Sequence, residues 1–322
     1  MTKTLAKVVL ECGRFRSLVR LLLSVAGILI VTTAAGIVAI GMGTPFDWLP
    51  RRLALLFWFN LLLLPLLLAL YTVLTHRLEG RPLGSVGVAL HPRWKNELAM
   101  GMAAGTGMLV AVASVERLLG VASFSLGPSH AVGVVLAGGF YVLALMVAAS
   151  VEELIFRGYP FQRLAEVAGP AIAVIVASIV FGAAHLRNPF QSWISTINTA
   201  LVGVMRAVCY LRTRALWLPI GIHFAWNFVQ GYVLGFPVSG MIFPRGVLQA
   251  KVSGPSWLTG GAYGPEGSIL SLGVIAAGTV YLFVSRRVLA TREMQGLALG
   301  PRNEEGPVSS LFSTGSVPSE KR

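Results

Sequence analysis

Three short patterns in this chain carry side chains able to move protons. Glu152 and Glu153 stand together, and Arg157 follows the second by four residues. Phe181 precedes His185 by four, and His223 precedes Asn227 by four. Peptide hydrolysis needs a water, a base to activate it and donors for the oxyanion that develops on the carbonyl. A carboxylate and an imidazole can hold and deprotonate the water. A second imidazole and an amide NH2 can donate to the oxyanion. No serine or aspartate pattern matches a Ser/His/Asp nucleophile or a paired-aspartate membrane protease, and no His-Glu-x-x-His zinc motif occurs. Glu152, His185 and His223 could also supply three ligands to zinc and leave a fourth position open, which the residues alone do not decide.

Residues four apart share a helix face. If the helix carrying the acidic pair continues past it, Glu153 and Arg157 form an ion pair in the favourable order, glutamate first. Glu152 lies about 100° round the same helix and is left free to act as a general base. The plainer reading is that both glutamates mark the end of a membrane helix. His185 alone serves packing as readily as function. His223 and Asn227 differ, because two hydrogen-bonding side chains aimed the same way inside an apolar run rarely serve packing alone.

The elements that position these groups are membrane helices. Of the 322 residues, 55% are hydrophobic and only 12% charged. An average soluble domain carries about 25% charged residues, so much of this surface must face lipid. Apolar runs of roughly 20 residues suit transmembrane helices. Eight are expected, at 18–42, 53–75, 97–119, 131–154, 170–187, 191–211, 215–235 and 268–285, giving an all-α polytopic membrane protein. Ionisable residues are costly at such depth. Most spans are read as clean, and the fourth, fifth and seventh as the exceptions.

The net charge of +13 is carried by residues flanking apolar runs, without a basic stripe interleaved with aromatics. It reads as a topology signal and not as a nucleic-acid surface. Eight spans with both termini cytoplasmic place most of the 26 Lys and Arg inside. That leaves Arg51, Arg52, Arg117, Arg187, Arg245 and Lys251 outside. Arg157, Arg163 and Arg206 count among the inside residues on this reading. The first apolar run is too long for a signal peptide core and reads as a retained helix. Cys12 and Cys209 read as two free thiols.

The expected organisation follows. Residues 1–17 form a basic cytoplasmic N-terminus, 18–129 the N-terminal membrane helices and 130–235 the core that carries the chemistry. Residues 236–293 hold a long outer loop, expected on the membrane interface, and the last span. Residues 294–322 form a disordered cytoplasmic tail. No internal repeat is visible, which speaks against a transporter built from inverted halves.

The three motifs, in this order and on three apolar spans, resemble the CPBP family. These membrane proteases include the CAAX prenyl endopeptidases and lysostaphin-resistance-type proteins. The match runs over roughly 130–235. The resemblance implies an eight-helix intramembrane endopeptidase that needs no metal and acts on a membrane protein or lipidated peptide in the bilayer, here expected in the plasma membrane. It implies that Glu152 with His185 activates the water, that His223 and Asn227 form the oxyanion hole, and that Glu153 and Arg157 support the site. The competing readings are a non-catalytic scaffold or immunity protein of the same fold and a proton-coupled transporter. One obstacle is depth. Glu152 nears the inner end of span four and His185 the outer end of span five, so the fourth helix must extend past Arg157 or the fifth must start deep or tilt.

Overall fold

The computed structural model describes residues 3–127 and 129–299. The chain is an all-α polytopic membrane protein, and each of the eight expected spans holds a helix. These are α1 (Lys3–Ile40), α2 (Arg51–Glu79), α3 (Trp94–Leu118), α4 (Ala131–Arg157), α6 (Pro170–Ala184), α7 (Trp193–Thr213), α8 (Trp217–Phe228) and α10 (Ile269–Val284). Two short helices lie between them, α5 (Tyr159–Ala168) and α9 (Ser256–Thr259), and a third, α11 (Arg292–Leu299), follows α10.

Among the described residues, five helical segments are long and apolar enough to cross a bilayer on their own: Gly13–Ile40, Arg51–Glu79, Trp94–Leu118, Ala131–Ala168 and Trp193–Thr213. Helices α6 and α10 are apolar but shorter, and α8 is prolonged by a π-helical turn over Val229–Val233. Large apolar side chains such as Leu29, Ile30 and Ile37 on α1, Val132 and Val135 on α4, and Ile175 and Ile179 on α6 point outward. Exposed apolar bands on so many helices are what lipid requires and what water would penalise.

Helix α5 removes the depth obstacle. The chain stays helical almost without interruption from Ala131 to Ala168, with a break at Gly158, then turns at Gly169 and Pro170 into α6. Gly169 has φ of 90°, a conformation that favours glycine. Glu152 therefore lies about 24 Å of helix before the turn and His185 about 22 Å after it, at 1.5 Å per residue. The two reach similar depth because the fourth span continues past Arg157. Phe156 and Phe181, also equidistant from the turn, stand edge to face with ring centroids 5.0 Å apart. An ion pair ties α5 to α2: Arg163 meets Glu79 at 2.8 Å, and it also meets Glu166 within α5 at 2.8 Å.

Helix α8 is pressed against α3. A Cβ on Gly101 would stand 2.3 Å from the Leu218 carbonyl oxygen, and one on Gly221 2.3 Å from that of Leu98. Small residues allow this backbone approach, and it fixes the helix that carries His223 and Asn227.

Two features add to the expectations. The segment 236–267 contributes a strand. Within it Leu248–Val252 pairs antiparallel with Ala122–Leu126, Ala122 opposite Val252 and Leu126 opposite Leu248. Its remainder folds back over the helix ends. Hydrogen bonds pin it there, from Asn198 Nδ2 to the Glu266 and Ser268 carbonyls at 2.8 Å and from Gln230 Nε2 to the Pro237 carbonyl at 2.6 Å. The basic N-terminus is already helical from Lys3, and the expected tail begins inside α11. Residues 1–2 and 300–322 of those two expected segments lie outside the described residues.

Candidate active site

The site is built outward from Glu153. This residue is fully buried on α4. Its Oε1 accepts a hydrogen bond from Arg206 Nη1 of α7 at 2.6 Å, and its Oε2 lies 3.4 Å from Arg157 Nη1. Arg157 also donates to the Gly203 carbonyl at 3.2 Å. Both guanidinium groups lie over the Phe181 ring, with Cζ 4.7 Å from its centroid for Arg157 and 4.5 Å for Arg206. The negative face of an aromatic ring attracts such cations. Phe181 thus has a role beyond sharing a face with His185. It is the apolar floor on which two buried cations rest.

Isolated buried charges are expensive, and pairing with hydrogen bonding offsets that cost. Two guanidinium groups meet one fully buried carboxylate, and Glu152 supplies the second negative charge. Glu152 is half-buried, and its Oε2 has no hydrogen-bond partner among the described residues. That oxygen lies 3.7 Å from His223 Nε2, too far for a direct hydrogen bond and close enough for one water to touch both.

His223 Nδ1 lies 2.5 Å from Arg206 Nη1 and 3.1 Å from Glu153 Oε1. Arginine can only donate, so the nearer contact assigns Nδ1 as the acceptor. The proton is then on Nε2, aimed towards Glu152. His185 caps the end of α6, and its Nδ1 lies 2.8 Å from the Phe181 carbonyl oxygen. A carbonyl only accepts, so Nδ1 carries the proton there and Nε2 offers a lone pair. The two histidines thus hold opposite tautomers.

Glu152, His185, His223 and Asn227 all line one cavity of about 410 Å³. Glu153 and Arg157 stand behind it and do not line it. The cavity runs between α2 and α4 past Leu56, Phe57, Phe140 and Leu145, so its polar end is continuous with an apolar one. Among the described residues no three His, Cys, Asp or Glu side chains are grouped so as to hold a metal ion.

Sequence reasoning missed Arg206. It was counted as a cytoplasmic topology charge, yet it is only 2% exposed, lines the cavity and makes the shortest bond to Glu153. Span six is therefore not clean. An arginine inside an apolar run was the available signal. Glu116, fully buried in α3, shows that span three is not clean either. Glu266, from the loop, was missed as well. It lines the cavity with Ser239, and its position in a Gly- and Pro-rich segment gave no sign of that.

Residues 134–229 match the family model described as Rce1-like, type II CAAX prenyl endopeptidase Rce1-like. This agrees with the resemblance carried by the motifs, and the matched stretch contains all seven motif residues. No curated protein and no solved structure gave a significant match.

Proposed function

We propose that this protein is an intramembrane endopeptidase that hydrolyses a peptide bond of a membrane-embedded or lipidated substrate. The observation that carries the reading is the convergence of Glu152, His185, His223 and Asn227, from three separate helices, on one cavity. The match of residues 134–229 to a CAAX endopeptidase family supports it.

A water between Glu152 and His185 gives a proton to the Glu152 carboxylate as its oxygen attacks the scissile carbonyl. The lone pair on His185 Nε2 orients that water. The oxyanion accepts hydrogen bonds from His223 Nε2 and the Asn227 amide. On collapse the C–N bond breaks, Glu152 returns the proton to the leaving nitrogen, and the products are an acid and an amine. Arg206 fixes the His223 tautomer, Glu153 holds Arg206, and Arg157 holds Glu153. No step in this scheme requires a metal. The apolar arm of the cavity between α2 and α4 suits a prenyl chain or a substrate helix.

The same reading puts the protein in the plasma membrane with both termini in the cytoplasm. The skew of Lys and Arg supports the orientation, and it survives removal of the buried Arg157, Arg163 and Arg206.

The test is quantitative membrane proteomics of cells carrying the wild type or Glu152→Gln at equal abundance. Uncut membrane proteins are expected to accumulate with the variant, and a chelator added to wild-type membranes should leave their cleavage unchanged. Identical processing in both strains would remove Glu152 from the mechanism.

A further inference from the structure

The loop that folds over the cavity brings a second carboxylate to it. Glu266 sits in a one-turn 3-10 helix, Pro265–Gly267, just ahead of α10. Its Oε1 accepts a hydrogen bond from Ser239 Oγ at 2.7 Å and a shorter one from the Ser239 backbone N–H. The backbone on either side is fixed too. Asn198 of α7 donates to the Glu266 carbonyl, and Ser271 Oγ to the Pro265 carbonyl at 2.6 Å. A carboxylate held by its own oxygen and by both flanking carbonyls cannot swing into solvent.

Its position gives it a function that the loop itself does not need. Glu266 and Ser239 line the same cavity as Glu152, His185, His223 and Asn227. The His185 imidazole lies within electrostatic reach of the Glu266 carboxylate. Gln230, whose Oε1 accepts from Trp226 Nε1 at 2.7 Å, and the buried Tyr263 complete its surroundings. His185 is the group most in need of such a neighbour. It follows the last residue of α6, with one nitrogen tied to a backbone carbonyl and the other open. Glu152 has His223, not His185, within ion-pair distance. Glu266 shares the cavity with His185 and lies within electrostatic reach of it.

Building on the proteolytic reading above, we propose that Glu266 is a positioning residue. Fixed on Ser239 at the loop-side wall of the cavity, it sets the charge that His185 faces and keeps the imidazole presenting Nε2 to the water. It acts through His185 and touches no reacting atom.

Three variants separate charge from anchorage. Glu266→Gln keeps an acceptor for Ser239 and loses the charge. Ser239→Ala keeps the charge and loses the anchor bond. Glu266→Asp keeps the charge on a shorter arm. The full chain is labelled with 15N-histidine in nanodiscs, and the ring nitrogens of His185 are assigned with His185→Gln. Glu266→Gln should move the His185 Nε2 resonance at fixed pH, Glu266→Asp should leave it nearer the wild-type position, and Ser239→Ala should move it least. A His185 resonance unmoved by Glu266→Gln would overturn the proposal, whether or not the variants cleave anything.

With a farnesylated fluorogenic CAAX peptide as the probe, Glu266→Gln should lower kcat at least tenfold with KM retained. Glu152→Gln is run alongside. If Glu152→Gln cleaves normally, the proteolytic reading fails. If only Glu152→Gln is dead and Glu266→Gln matches wild type in rate, the Glu266 inference alone fails.

Discussion

Glu153 Oε1 and Arg206 Nη1 are 2.6 Å apart in a fully buried setting, although 53 residues separate them in the chain. The same arginine reaches His223, so one guanidinium ties the acidic helix α4 to the histidine helix α8 by way of α7.

Breaking this pair should therefore cost both stability and activity. Arg206→Met leaves Glu153 buried opposite a single cation, and Glu153→Gln leaves two guanidinium groups facing each other. Loss of one partner of a buried ion pair costs on the order of 3–5 kcal/mol. Thermal unfolding in detergent micelles should show a clear drop for each single variant. A double variant, Arg206→Met with Glu153→Gln, should lose less than the sum of the two, because the uncompensated charge is gone.

Asn227 should behave differently. It lines the cavity, half-buried, on the turn after His223. As an oxyanion donor it stabilises the transition state and not the ground state. Asn227→Ala is expected to lower kcat about 10²- to 10³-fold, the usual effect of losing one such donor, with KM and melting temperature nearly unchanged. A rise in KM at constant kcat would instead make Asn227 a substrate-binding residue.

The α3–α8 contact gives a test remote from the chemistry. A methyl group on Gly101 or Gly221 meets a carbonyl oxygen at 2.3 Å, far inside van der Waals distance, and the neighbour is rigid backbone. Gly221→Ala should push α8 off α3, displace His223 and Asn227, and lower both stability and activity. Gly107, on α3 with Gly101, is the control, where an added Cβ meets nothing within 4 Å. Gly107→Ala should be neutral or slightly stabilising, since alanine favours helix over glycine by about 1 kcal/mol.

Glu266 predicts a pH dependence of stability. Burial holds its carboxyl above the usual carboxylate range, while the bonds from Ser239 and the nearby His185 and Gln230 pull it back. The folded chain therefore keeps this proton to a higher pH than the unfolded chain does. The stability tied to it is complete below the ordinary carboxylate range and is lost as pH rises through the folded value. Glu266→Gln cannot titrate. Its melting temperature relative to wild type should climb across that window and then level off, in scans from about pH 4 to about pH 8. A constant difference would show that Glu266 titrates alike in both states.

The chain by itself determined that this is a membrane protein, how many apolar helices it has and which of their side chains could do chemistry. Those properties are local. Hydropathy is read from one run of residues, and a shared face from a spacing of four, as for Glu153 with Arg157 and His223 with Asn227. Only the tertiary structure decided which groups meet. The equal depth of Glu152 and His185 depends on α5 continuing the fourth helix beyond Gly158 before Pro170 reverses the chain. The role of Arg206 depends on α7 facing α4, and that of Glu266 on a loop folding back over the helix ends. Such contacts join residues tens of positions apart, and they arise from helices packing against one another, which no periodicity within a single helix encodes.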